Sequence, residues 1–481
     1  MNATTIAAGA EHTVRNRLVI NLLLVSSFVV ILNETIMGVA IPRLMDSLGV
    51  TAGSAQWLTT AFLLTMAVVI PMTGFLLQRL HTRVIFVMAM SLFSAGTLAA
   101  VLAPGLELLV VARVIQASGT AIMLPLLMTT VMTLVPQETR GRTMGNIMTV
   151  ISVAPAIGPT LSGLILNYLH WRWLFVLVLP IALAALWLGA RRIENVTTPR
   201  AAPLDIASVI LSAFAFGGGV YGLSVLGVPR EAGSLPAWIP LVIGGVAMVV
   251  FVRRQLTLQQ TNSALLDLRT FGSRNFTVSL LLFATLMLVL FGTIIVLPIY
   301  LQNVLGISTL QTGLLLLPGG LLMGLLGPSV GRTYDRIGPA KLVIPGVAIV
   351  TAVLWAMTQL GTHSRVELIL IGHVVMSVGF ALLFTPLFTA SLSSVRPELY
   401  SHGSAVLGSL QQVAGAAGVA LFVALMTAQT ARLTAAGATP VEALAGGARA
   451  AFLCGAICAL LAVGCSFLVR KPAASAIPAV H

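Results

Sequence analysis

Of the thirteen acidic residues in this 481-residue chain, Glu34 alone stands deep inside a long apolar run. A carboxylate in such surroundings is costly when charged, so its natural chemistry is to take up and release a proton. Arg113 is the one residue of 26 lysines and arginines that lies within an apolar run in the same way. A cation in reach of that acid sets how readily the proton leaves. Asn33 adds a neutral polar group beside Glu34, although adjacent residues on a helix point about 100° apart. Asp335 stands among Arg332, Arg336 and Lys341, where it can meet either an arginine or a helix N-terminus. Gly158 and Pro159 form a backbone device: the proline removes one helical hydrogen bond, and small neighbours allow close helix contact. His373 can titrate near neutral pH, but its first reading is an interhelical hydrogen bond.

Other chemistries find no support. Cys454, Cys458 and Cys465 all fall in the last apolar run, without the loop partners that a disulfide framework or zinc site needs. No phosphate-binding G-x-x-x-x-G-K-[ST] occurs, and neither H-E-x-x-H nor G-x-S-x-G stands out. The expectation is therefore a protein that is not an enzyme, with no cofactor and no metal, driven by a gradient or by a separate subunit.

The elements that position these residues are set by composition. The chain is 58% apolar and 8% charged, against about 25% charged in soluble domains. The apolar residues form long, non-alternating runs, which read as membrane-spanning helices rather than barrel strands. Six spans are predicted over 17–42, 52–78, 83–103, 107–134, 143–168 and 172–190. Two follow over 205–228 and 236–253. Six more cover 275–302, 309–332, 340–360, 366–391, 402–428 and 448–469. With the N-terminus cytoplasmic, nineteen of the basic residues fall inside and six outside, as the positive-inside rule requires. The net charge of +13 is thus a topology signal, and no nucleic-acid partner is expected. At 1.5 Å per residue, Glu34 lies about 25 Å from the cytoplasmic side and Arg113 about 9 Å from the outer side. In a core of about 30 Å these depths are within about one turn of each other.

One short pattern occurs twice: Gly74, Gln78, Arg79 and Arg83 after the second span, and Gly331, Asp335, Arg336 and Lys341 after the tenth. The chain then divides into a tail (1–16), a six-helix half (17–190), a linker (191–204), two inserted helices (205–253), a linker (254–274), a second six-helix half (275–469) and a tail (470–481). Repeats of this kind mark transporters whose substrate site lies between the repeats.

These residues resemble the major facilitator superfamily over about residues 17–470, and the span count is similar to its fourteen-helix drug:proton antiporter branch. The duplicated loop resembles G-x-L-x-D-R-x-G-R-R, with Gln78 in place of the acid in the first copy. Leu109, Arg113, Gln116 and Gly119 follow L-x-x-x-R-x-x-Q-G-x-G. Gly145, Ala154, Gly158, Pro159 and Gly163 follow the antiporter signature G-x8-G-x3-G-P-x2-G-G, with Ala154 and Ser162 replacing glycines. Residues 32–42 resemble L-D-x-T-I-V-N-V-A-L-P, with Asn33 at the usual aspartate, and residues 297–306 also look like that branch.

The resemblance implies an all-helical membrane fold of two six-helix halves plus two extra helices. It implies a bacterial plasma-membrane antiporter, both termini cytoplasmic, that exports hydrophobic, cationic drugs or dyes against protons. Glu34 and Arg113 are the expected proton-coupling pair. Asn33, Gln56, Trp57, Gln116, Pro159, Tyr300, Gln302 and Gln411 are cavity candidates. Gly74, Arg79, Arg83, Gly331, Asp335 and Arg336 form the expected cytoplasmic gate. Partners are membrane lipids, protons and a small lipophilic substrate; a periplasmic adaptor is left open. The alternatives are an exporter of one native metabolite, lipid or siderophore, and a passive lipid scramblase or non-transporting receptor.

Overall fold

A computed structural model of the chain describes residues 3–195, 199, 204–226 and 236–471. In a bilayer every backbone polar group must find its partner within the segment, which long helices achieve. Fourteen helices among the described residues are long and apolar enough to cross. They are α1 (Ala3–Leu48), α2 (Ala52–Arg79), α3 (Thr82–Leu102), α4 (Leu106–Leu134), α5 (Arg140–Tyr168), α6 (Trp173–Arg192) and α7 (Ile206–Ser224). The others are α8 (Trp238–Leu258), α9 (Arg274–Asn303), α10 (Thr309–Ile337), α11 (Ala340–Met357), α12 (Val366–Ser393), α13 (Tyr400–Ala435) and α14 (Pro440–Ser466).

The order and number match the sequence prediction; some boundaries do not. The stretch of α1 apolar enough to cross starts at Arg15, close to the predicted 17, and the helix itself continues back to Ala3. It ends at Gly49, whose φ of +64° a side chain would disfavour. α6 is interrupted at Leu177, and α7 carries a π-helical turn at Ala213–Gly217 and ends four residues before the predicted limit of 228. Short turns are fixed by capping boxes, Ser308 with Gln311 before α10 and Thr439 with Glu442 before α14.

An even number of crossings puts the start of α1 and the end of α14 at one end of the bundle. Arg79, Arg140, Arg336 and Arg470 lie at that end, called here the basic face; the opposite end is the far face. Helices α1–α6 pack on one another, as do α9–α14. The pairings correspond: α1 with α5, α2 with α4, α3 with α4 and α3 with α6 are matched by α9 with α13, α10 with α12, α11 with α12 and α11 with α14. Between the bundles, α5 meets α10 and α2 meets α13, again corresponding pairs.

Glycines set how closely these seams approach. A methyl on Gly331 would collide with the Gly141 carbonyl oxygen, and one on Gly145 with that of Gly327. Close contact runs on to Ala156 and Gly320, about 24 Å along α5 from its start. On the other seam, Gly74 faces His402, and Gly408 faces Ile70. Toward the far face the helices part: nothing lies within 4 Å of a methyl on Gly163 or Gly313. The close contacts between the bundles thus lie toward the basic face, and at the far-face end of the α5/α10 seam Gly163 and Gly313 stand free of close neighbours.

The α7–α8 hairpin packs against α2 and α13. Large apolar side chains such as Phe214, Val246, Leu325 and Leu461 are exposed around the helices. Surfaces of this kind are stable against lipid rather than water, so the molecule is embedded in membrane.

Candidate functional site: a buried arginine beside an unpaired carboxylate

Arg113 lies seven residues into α4 and is 1% exposed. Its Nη1 donates to Asn33 Oδ1 at 3.2 Å and to Gln116 Oε1 at 3.0 Å, and its Nε donates to the Leu58 carbonyl at 3.4 Å. The guanidinium sits 4.0 Å from the Phe62 ring centroid. Gln116 in turn donates to Thr97 Oγ1 at 2.8 Å. Helices α1 to α4 thus converge on one buried cation. Neutral oxygens and an aromatic face satisfy it, each stabilising a guanidinium without adding a second charge. Among the described residues no carboxylate forms an ion pair with it.

Glu34 follows Asn33 on α1 and faces another way. It is half-buried and makes no hydrogen bond or ion pair among the described residues. Its next neighbour, Thr35, turns its hydroxyl back to the Leu32 carbonyl at 3.0 Å. The same Thr35 lies against α5, so closely that a methyl on Gly158 would collide with its Oγ1. Glu34 is therefore held where α1 crosses α5, one residue from that contact, and Pro159 beyond it is exposed.

The remaining candidates are dispersed. Gln116 is fully buried as the support of Arg113, not on a cavity wall. Tyr300 is also fully buried; its hydroxyl donates to the Gly361 carbonyl at 2.6 Å, tying α9 to the loop before α12. Gln302 accepts from Thr309 at 3.4 Å in the α9–α10 turn, at the membrane edge. Trp57 is exposed and stacks on Tyr221 of α7 at 6.0 Å, a contact that joins α2 to the hairpin. Gln56 is exposed at the far-face end of α2, and Gln411 is half-buried on α13. Gly145 is at the tight α5–α10 crossing and Ala154 is fully buried, whereas Gly163 lies past the point where those helices separate and makes no close contact.

At the basic face, Asp335 reaches from α10 to the first turn of α5. Its Oδ1 accepts from the Gly141 N–H at 2.8 Å and its Oδ2 from the Arg142 N–H at 2.9 Å. A carboxylate suits these donors, which have no partner inside the helix. On the corresponding seam, Gln78 donates to the Glu398 carbonyl at 2.8 Å. Gly74 and Gly331 allow both approaches. The arginines of the pattern do not bridge the bundles: Arg79 lies 5.8 Å from the ring centroid of its own helix's Phe75, the Arg83 backbone meets Asn195, and Arg336 is exposed.

Sequence reasoning missed three cross-bundle contacts. Arg140 caps α4 through the Met132 and Val135 carbonyls, at 2.9 and 3.1 Å, and stands 5.4 Å from the ring centroid of Tyr400 on α13. Its position just beyond α4 was a usable signal. Thr129 and Ser404 bring hydroxyls within 2.9 Å, and Thr149 donates to the Gly324 carbonyl at 2.8 Å; nothing local marks either.

Comparisons with known proteins accord with this architecture. The chain is 40% identical over 455 residues to the MFS-type transporter YcnB of Bacillus subtilis, covering 94% of this chain and 95% of that one. It is 39% identical over 453 residues to the lincomycin resistance protein LmrB of Listeria monocytogenes, covering 93% and 95%. The human organic anion transporter MFSD10 superposes with a TM-score of 0.66 at 14% identity, over 94% of this chain and 99% of that one. The Escherichia coli fucose:proton symporter FucP gives 0.61 at 13%, over 94% and 98%. Residues 23–419 match the profile of the Major Facilitator Superfamily, and the chain belongs to that family of membrane transporters.

Proposed function

We propose that the protein is a proton-coupled antiporter that exports lipophilic cationic drugs or dyes across a bacterial plasma membrane by alternating access. The basic face is then cytoplasmic, and the conformation described is open to the outside. Residues 17–190 and 275–469 are the two moving halves. The observation that carries this reading is Glu34: a lone acid deep in a span, half-buried and unpaired, with the charge of Arg113 fixed behind it by neutral partners.

Because Arg113 is bound to Asn33 and Gln116, Glu34 is not locked into a direct ion pair. It stays free to hold either a proton or a cationic cargo. In the outward-open state a proton from outside takes the carboxylate and the cargo leaves. The halves then rock, breaking the Asp335 cap and the Gln78 contact. On the cytoplasmic side the proton departs and the next cation binds. Relatives named for lincomycin resistance support a drug as cargo.

The test is proton release when tetraphenylphosphonium is added to detergent-purified protein. Wild type is expected to release protons and Glu34→Gln to release none. Silence from wild type, or undiminished release from the variant, refutes the assignment.

A further inference from the structure

The two seams between the bundles are not equivalent at the far face. On the α2/α13 seam the inserted hairpin lies across the gap. Trp57 of α2 stacks on Tyr221 of α7, and Gly217 of α7 sits against Leu64 and Val68 of α2. The last turns of α7, Gly218–Ser224, pack on α13. Trp57 and Leu64 lie in the far-face half of α2 and Val68 just past its midpoint, because α2 runs from Ala52 at that face to Arg79 at the basic face.

The hairpin is itself anchored. Arg254 of α8 holds Asp205, the cap of α7, by two contacts of 2.7 Å. Gln255 is fully buried, donates to Ser208 at 2.7 Å and accepts from the Leu265 N–H at 2.8 Å.

The α5/α10 seam has no such cover among the described residues. Its inner faces are marked by the helical repeat. Gly163 is seven residues beyond Ala156, and Gly313 is seven residues before Gly320, so each lies two turns further along the contacting face. There the helices no longer touch. From Ala156 to the end of α5 is about 18 Å, roughly one leaflet of a 30 Å core. Glu34 lies at the depth where the gap begins: its neighbour Thr35 meets α5 at Gly158, two residues beyond Ala156, on the side of α5 turned away from α10.

We propose that this gap is a lateral portal through which a lipophilic cation passes between the Glu34 site and the outer leaflet, and that the α7–α8 hairpin closes the equivalent portal on the opposite side. The cargo class rests on the antiport reading above. An amphiphile dissolved in lipid meets Glu34 without crossing an aqueous mouth, and the carboxylate supplies the complementary charge. The hairpin thereby leaves the cargo one exit rather than two.

The test uses a chain with Cys454, Cys458 and Cys465 replaced by serine, reconstituted in lipid vesicles. Bimane on Gly163→Cys or Gly313→Cys is expected to be quenched by nitroxide-labelled lipid, and bimane on Val68→Cys, beneath the hairpin, to be protected. A bulky charged thiol reagent on Gly313→Cys is expected to lower tetraphenylphosphonium efflux about tenfold or more. The same reagent on Gly219→Cys, an open position of the hairpin, is expected to leave it within about twofold. Undiminished efflux from the modified Gly313→Cys and Gly163→Cys proteins, or equal quenching at Val68→Cys, overturns the portal. Proton release in detergent reports Glu34 independently of any lipid path. Its loss in unlabelled protein counts against the antiport reading, while quenching still decides the portal.

Discussion

Asn33 and Glu34 are adjacent on α1 and have different physical roles. Asn33 is 1% exposed and gives Arg113 one of its three oxygen acceptors. Asn33→Ala leaves a buried guanidinium short of an acceptor, a loss of about 1–3 kcal/mol. A lowered thermal midpoint in detergent is the expected result. Glu34 contributes no hydrogen bond or ion pair, so Glu34→Gln is expected to melt within a degree or two of wild type. The same variant is expected to lose the pH dependence of efflux, because an amide does not titrate. A Glu34→Gln protein that melts far below wild type would recast Glu34 as a packing residue. Asp205 provides the contrast. Its hydrogen-bonded pairing with Arg254 holds its carboxyl well below the usual range. A depressed value means that the pairing is fully present above about pH 4 and weakens only below it. Docking of the hairpin is thus expected to be constant over the range in which Glu34-linked efflux changes, as the fluorescence of Trp57 would report in a variant whose other five tryptophans are replaced by phenylalanine.

At the scale of elements, the basic-face seams depend on backbone proximity and on two contacts of unequal strength. Asp335 offers a charged cap to two N–H groups on α5, whereas Gln78 offers one neutral hydrogen bond. Bonds to a charged group are worth about 1.5–3 kcal/mol and neutral ones about 0.5–1.5. Both form only while that face is closed, so each loss shifts the equilibrium between states. Asp335→Ala is expected to raise alkylation of a cysteine at Ala405, which packs on Gly74, about tenfold or more, and Gln78→Ala only several-fold. The reverse order would show that charge does not control the seam. The elements themselves were legible in the sequence, since span length follows from bilayer thickness and Gly, Pro and Arg sit at characteristic spacings. Which side of a helix meets which neighbour was not. Trp57 and Tyr300 looked like cavity aromatics, yet one grips the inserted hairpin and the other a loop carbonyl. Thr129 and Ser404 are 275 residues apart, and no local pattern can reveal such a pair.

For the whole molecule, the corresponding helix pairings and the single closed face describe one of two related arrangements. The repeat lets either face close with similar contacts, which is the basis of alternating access. A transporter of this kind must break every basic-face contact once per cycle, whereas a static pore need break none. Thr129 on α4 and Ser404 on α13 lie within that seam, with hydroxyl oxygens 2.9 Å apart. Cysteines at both positions are therefore placed to cross-link the form that is closed at the basic face. In a background without the native cysteines, oxidation of the Thr129→Cys/Ser404→Cys protein is expected to reduce efflux to background, and dithiothreitol to restore it. Each single variant is expected to retain efflux after the same treatment. The oxidised protein should still release protons on binding tetraphenylphosphonium, because Glu34 remains open toward the far face. Efflux that continues at full cross-linking would mean that cargo passes without separating α4 from α13, and the rocking of the two bundles would have to be abandoned.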